Sequence, residues 1–142
     1  MSDAYLGHGS TISRGTSSSG PWTAIAETRS ITPPQLQRNE VEVTHTTSPD
    51  GYREYIGGLK DGSRLELTVN YLPSNATHQT LLSDYDDDVI AYYRVVYDSP
   101  TQYAWIFQAR VLEVNPEAII PDDAVQLNVS LKTTGPVTRA AA

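Results

Sequence analysis

The chain has 142 residues, enough for one domain, and a formal net charge of -7. Its ten Lys and Arg are scattered, which argues against a grip on nucleic acid, because that affinity comes from clustered basic side chains neutralising phosphate. The absence of cysteine removes disulfides and thiolate metal sites, and no apolar run approaches the roughly 20 residues of a membrane span.

Residues 1–21 are rich in Gly, Ser and Thr, with Leu6 and Ile12 as isolated apolar positions. This composition predicts a flexible arm. The first residues lack the basic-then-apolar order of a signal peptide, so a soluble protein of a cytoplasm-like compartment is expected. Residues 22–31 read as a first strand, stopped by Pro33 and Pro34. Val41 and Val43 alternate with Glu40, Glu42 and Thr44, the pattern of a half-buried strand.

Leu65, Leu67, Val69 and Tyr71 alternate with Arg64, Glu66, Thr68 and Asn70, the clearest period of two in the chain. His78, Leu81, Leu82 and Tyr85 then fall at helical spacing. Ser74 or Asn75 can cap that helix. The acidic run from Asp84 to Asp88 opposes the helix dipole and predicts a stop by Ser83 or Tyr85.

Residues 89–97 and 102–114 are apolar on both faces in places and are expected to pair as a hairpin across Asp98, Ser99 and Pro100. Val125, Leu127, Val129 and Leu131 mark a closing strand, followed by a featureless tail over 136–142. The sum is a mainly β protein: an antiparallel β-sandwich or partly closed barrel over 22–135 with one flanking short α-helix.

A search for chemistry returns little. His8, His45 and His78 are not spaced as ligands on one element. Nucleophile-elbow, phosphate-loop and dinucleotide patterns are absent. Asp84, Asp86 and Asp88 open like a calcium loop, but Val89 stands where glycine is required and Val95 where a bidentate Glu is required. No catalytic, metal or cofactor residue is expected. Tyr92, Tyr93, Tyr97 and Tyr103 crowd the expected hairpin. They support an alternative reading as a carbohydrate- or ligand-binding β-sandwich module.

Four segments carry a resemblance. They are Trp22-Thr-Ala-Ile-Ala-Glu-Thr-Arg-Ser-Ile-Thr-Pro-Pro34; Val41-Glu-Val-Thr-His45 with Ser48-Pro-Asp-Gly-Tyr-Arg-Glu-Tyr-Ile-Gly-Gly-Leu-Lys-Asp-Gly62; Leu65-Glu-Leu-Thr-Val-Asn-Tyr71 with Asn75-Ala-Thr-His-Gln79; and Val125-Gln-Leu-Asn-Val-Ser-Leu-Lys-Thr-Thr-Gly135. Together they resemble the lambda-type major tail tube proteins of long-tailed bacteriophages with non-contractile tails. The resemblance implies hexameric rings with a continuous inner β-barrel, stacked into a hollow tube through which DNA passes without specific binding. It implies a virion protein assembled in the host bacterial cytoplasm, not inserted in a membrane. The implied partners are further copies of the chain and the tail tip, tape measure and tail terminator proteins of the same phage. It does not extend to the C-terminal immunoglobulin-like domain of some family members.

Two sets of residues are then expected to serve assembly. Residues 46–62 form a long connection without regular structure, broken by Pro49 and several glycines, yet carrying Tyr52, Tyr55, Ile56 and Leu59. With Asp50, Arg53, Glu54 and Lys60 it is expected to join one ring to the next, or alternatively to fold back as a lid on its own sandwich. Residues 41–44 and 65–71 are expected to form the lumen-side sheet, with Glu40, Glu42, Glu66 and Thr68 facing the channel.

Overall fold

The computed structural model describes residues 4 and 6–141 apart from 63 and 101, and for 61 and 62 the backbone alone. The strands in chain order are β1 (Thr11–Gly15), β2 (Trp22–Ala24), β3 (Thr28–Thr32), β4 (Leu36–Glu42), β5 (Tyr55–Gly62), β6 (Arg64–Asn70), β7 (Ile90–Tyr97), β8 (Tyr103–Pro116) and β9 (Gln126–Ala141), with one helix, α1 (Ala76–Asp87). Seven strands form an antiparallel sheet in the order β2-β1-β7-β8-β9-β6-β3, and β4 with β5 makes a separate hairpin.

The core lies on one face of the large sheet. Leu65, Leu67 and Val69 of β6 stand opposite Leu131, Val129 and Leu127 of β9, and all six are buried. Ala91, Tyr93 and Val95 of β7 and Phe107, Ala109 and Val111 of β8 continue the layer. The period of two therefore sorts side chains as the sequence predicts, with Glu66 on the opposite, exposed side.

The strand order imposes a closure. β2 and β3 occupy the two edges of the sheet, yet only residues 25–27 separate them. A flat seven-stranded sheet would hold its edges about 29 Å apart, at about 4.8 Å per strand, whereas so short a link spans at most about 14 Å. The sheet must curl until its edges nearly meet. The Ile25 N–H donates to Ile12 O of β1 at 2.9 Å, and the Asn70 N–H of β6 donates to Glu27 O at 2.8 Å, so the corner is bonded to both ends. Glu27 adopts a left-handed φ of 57° there, a strained choice for a residue with a side chain. The expected strand over 22–31 is thus two strands broken at this corner.

α1 latches the corner. The Ala26 N–H donates to Thr77 Oγ1 at 3.2 Å, and His78 Nε2 lies 2.7 Å from Ala26 O. The other ring nitrogen, Nδ1, accepts from the Leu72 N–H at 3.1 Å. One nitrogen therefore donates and the other accepts, which makes His78 the Nε2–H tautomer. Asn75 caps the helix by accepting from the Thr77 N–H at 2.9 Å.

The helix differs from expectation at its far end. It runs to Asp87 and stops at Asp88, which takes a left-handed cap. Its inward face is His78, Leu81 and Asp84, while Tyr85 is exposed. Asp84 is turned inward because Arg14 of β1 grips it in a two-pronged ion pair, Nε to Oδ2 at 2.6 Å and the second nitrogen to Oδ1 at 2.9 Å. The Tyr93 hydroxyl adds a long contact to Asp84 at 3.4 Å. Burial opposes the Arg14 charge, but the hydrogen bond and charge of Asp84 outweigh it, so the guanidinium holds its proton more tightly than usual. Burial first, and the Asp84 charge second, push the Tyr93 phenol well above its ordinary 10.0.

Both ends of the chain are more ordered than composition predicts. Within the expected arm, β1 pairs with β2 and β7 and places Ile12 in the core. Gly15 lets the Trp22 ring lie across it, where a Cβ would meet the ring at 2.7 Å, and Trp22 in turn carries the Arg94 guanidinium at 5.0 Å. The expected tail is the continuation of β9, paired to β8 as far as Tyr103 opposite Ala141.

Two expectations follow. Replacing His78 by Ala orphans Ala26 O and the Leu72 N–H together, at a cost of about 3 kcal/mol, read as a lower midpoint in chemical denaturation. Tyr93 stays protonated in the folded state beyond the pH at which the unfolded chain ionises it, so its contribution is complete below about pH 10 and is lost as pH rises above that value. Wild type should therefore lose stability above pH 10 more steeply than Tyr93→Phe, and parallel alkaline unfolding curves would contradict this.

Candidate assembly surface

The β4–β5 hairpin stands outside the core. Its register pairs Arg38 with Lys60, Glu40 with Gly57, Val41 with Ile56 and Glu42 with Tyr55, with a shift between Arg38 and Glu40 where β5 has one extra residue. Alternation puts Glu40, Glu42 and Tyr55 on one face and Val41 with Ile56 on the other. Every described side chain of β4 is exposed, so this strand is not half-buried in the single subunit. Residues 46–62 are likewise not irregular throughout, since 55–62 are strand.

The tip is held by its own polar groups. His45 N–H donates to Ser48 Oγ at 2.9 Å, and Ser48 Oγ donates to Glu54 Oε2 at 2.9 Å. His45 Nε2 lies 3.3 Å from the same carboxylate, and the Glu54 N–H donates to Thr44 Oγ1 at 2.8 Å. Pro49 opens a single 3-10 turn in which Asp50 takes a left-handed φ of 53°. Glu54 is thereby committed within the tip, while Arg53 is left exposed.

The apolar side chains of this element face water. Tyr52 is 74% exposed, Tyr55 51%, Ile56 54% and Leu59 84%. They do not lie as a lid on the sandwich. A two-stranded hairpin is marginal by itself, and this one exposes large apolar groups on both of its faces.

The four residues expected on one lumen-side sheet are divided between two. Glu66 and Thr68 lie on the outer face of β6, where the Thr68 hydroxyl donates to Asn128 Oδ1 at 2.8 Å, while Glu40 and Glu42 are on the hairpin. The face that carries Glu66 is also not uniformly acidic. Arg64, Lys132 and Arg110 sit side by side across β6, β9 and β8. Glu113 lies 3.5 Å from Arg64, and Asp88 lies 3.7 Å from Arg110.

The tyrosines of the hairpin β7–β8 do not make one platform. Tyr93 is buried in the core and stacks near Phe107, Tyr97 packs on the Trp105 edge, Tyr92 points to the opposite face and Tyr103 is exposed. Among the described residues no three His, Cys, Asp or Glu are grouped to hold a metal. The clusters missed in the sequence are Arg14 with Asp84 and the latch of Thr77 and His78. Asp84 stands three residues after Leu81, which already placed it on the inward helix face.

The subunit is thus a curled antiparallel sheet with one latching helix and a hairpin whose large apolar side chains are exposed. The model of the lambda phage tail tube protein family matches residues 4–140. The chain belongs to that family and is a structural subunit of a bacteriophage tail tube. No curated protein sequence matches it. Among solved structures the fold is similar to the tail of an empty gene transfer agent particle refined with C6 symmetry, with TM-score 0.78 and 16% identity over 97% of this chain and 100% of that one. It is similar to the SPP1 tail tube, with TM-score 0.76 and 12% identity over 98% and 80% of the two chains. A sheath-tube complex of an extracellular contractile injection system also shares it, with TM-score 0.69 and 12% identity over 94% and 88%.

Proposed function

We propose that the subunit forms six-fold rings that stack head to tail into a tube conducting DNA into the host, and that the β4–β5 hairpin carries the contact between rings. The observation that supports this reading is the exposure of Tyr52, Tyr55, Ile56 and Leu59 on an element with no core of its own. Pro49 and Asp50 shape the tip, and Arg53 and Lys60 are free to set register against the next ring. Glu54 instead stiffens the tip from within. Rings closed by a head-to-tail contact also cover sheet edges that would otherwise invite aggregation.

In this reading the chain has no catalytic role, works in the virion after assembly in the bacterial cytoplasm, and meets tail tip, tape measure and terminator proteins at the ends of the tube. Glu40, Glu42, Glu66 and Thr68 face the channel. The row of Arg64, Lys132 and Arg110 tempers the wall charge, and the neighbouring carboxylates keep that row from gripping phosphate.

The double change Tyr55→Ser with Ile56→Ser tests the hairpin. Both side chains are exposed, so the purified subunit should stay folded within about 0.5 kcal/mol of wild type yet give no long tubes in negative-stain images. Normal tubes, or an unfolded subunit, would each defeat the stacking role. The channel assignment predicts that virions with Glu42→Lys and Glu66→Lys release DNA more slowly, and that the gap to wild type narrows in high salt as screening shortens the field. Equal release rates at low salt would remove those residues from the channel wall.

A further inference from the structure

The hairpin and the end of β9 enclose a cleft of about 620 Å³. Three cations line it, Arg38, Lys60 and Arg139, and among the described side chains no acidic one does. Arg38 stands directly opposite Lys60 in the hairpin, a like-charge pairing that weakens the ladder. The bare backbone of Gly57 seats the Arg38 stem, since a Cβ there would come within 3.0 Å of Arg38 Cδ. Arg139 is steadied over the Trp105 ring at 5.9 Å. Among the described residues, no carboxylate pairs with any of the three. In a chain of net charge -7, a concave site of three unopposed cations is a local exception.

The complementary charge is on the same chain. Asp86 and Asp87 are exposed at the C-terminal end of α1, whose last turn has no basic residue. Carboxylates there meet the negative pole of the helix. Asp87 has only the Ser83 hydroxyl at 3.5 Å, and it is the following Asp88 that reaches Arg110. Within one subunit the two charged regions do not meet. Asp88, at the cap of α1, reaches Arg110 on the outer face of β8, whereas the cleft opens beside Thr133 and Val137, which face the core.

We propose that this cleft receives Asp86 and Asp87 of a neighbouring copy in the tube, so that each subunit offers one basic socket and one acidic helix end. The inference rests on the tube-assembly reading above and assigns one of its contacts. Every copy then gives and receives one contact, as a head-to-tail array requires. Two unfavourable arrangements, the opposed Arg38 and Lys60 and the carboxylates at the helix pole, are relieved by the same contact. Nucleic acid is the poorer occupant, because the net charge of the chain repels phosphate at a distance.

The test is reciprocal charge reversal in the full chain. Arg38→Glu with Lys60→Glu, and separately Asp86→Lys with Asp87→Lys, should each leave circular dichroism unchanged and raise the protein concentration needed for tube formation about tenfold or more. The chain carrying all four changes should recover to within about threefold of wild type, because the contact is restored with its signs exchanged. Wild-type assembly by either double variant, or no recovery in the fourfold variant, overturns the contact while leaving the tube reading intact. Wild-type chain that forms no tubes at any concentration defeats that reading and this contact together. Labelled duplex DNA that binds assembled wild-type tubes, and fails to bind once Arg38 and Lys60 are reversed, would assign the cleft to phosphate instead.

Discussion

The link of residues 25–27 between the two edge strands governs the rest of the subunit. Because it is short, the sheet cannot lie flat. At this left-handed corner the Ile25 N–H and Glu27 O still reach β1 and β6, but the N–H and O of Ala26 between them are met by no strand. The helix meets them instead, through Thr77 and His78. The helix position follows from this, and from it the approach of Asp84 to Arg14 on β1. A buried ion pair of this kind is weak evidence of net stability. Here its geometry fixes the rotation of α1 about its axis, because Leu81 and Asp84 must both turn inward.

Much of this architecture was legible in the sequence, and the limits of legibility have physical causes. β6 and β9 were plain because each buries one face and wets the other, so alternation is complete in both. The helix start was plain because Asn75 is a capping residue before a periodic run. β1 was hidden because its core contribution is one isoleucine among Ser, Gly and Thr, and its other inward group is Arg14, which reads as surface. Asp84 was hidden by its acidic neighbours, although helical spacing from His78 and Leu81 pointed inward. The strand β5 was hidden by its glycines, which ordinarily weaken a strand but here admit Arg38 and Asn39 from β4. The residues expected on the channel were read from alternation, which assigns a face but cannot show that β4 and β6 belong to different sheets.

The surface of the subunit is organised around what it lacks. The hairpin has strand hydrogen bonds but no core beneath it, and its large apolar groups stand in water. On the hairpin Arg38 stands opposite Lys60, and at the helix end Asp86 and Asp87 stand together, each beside charge of its own sign. Such conflicts are uncommon where a chain is selected only to fold. They fall on the hairpin and the helix end, outside the apolar core of the large sheet.

The order of strands also bears on synthesis. The centre of the sheet, β7-β8-β9, is an antiparallel meander made of roughly the last third of the chain, and the earlier strands β1 and β6 attach to its flanks, with β2 and β3 outside them. A ribosome therefore releases the flanks before the template they pair with. The β6–β9 and β8–β9 pairings, and with them the complete sheet, wait until β9 emerges. An unfinished copy can therefore close the local β4–β5 hairpin while its large sheet is still in two parts, β2-β1-β7-β8 and β6-β3, which only β9 joins.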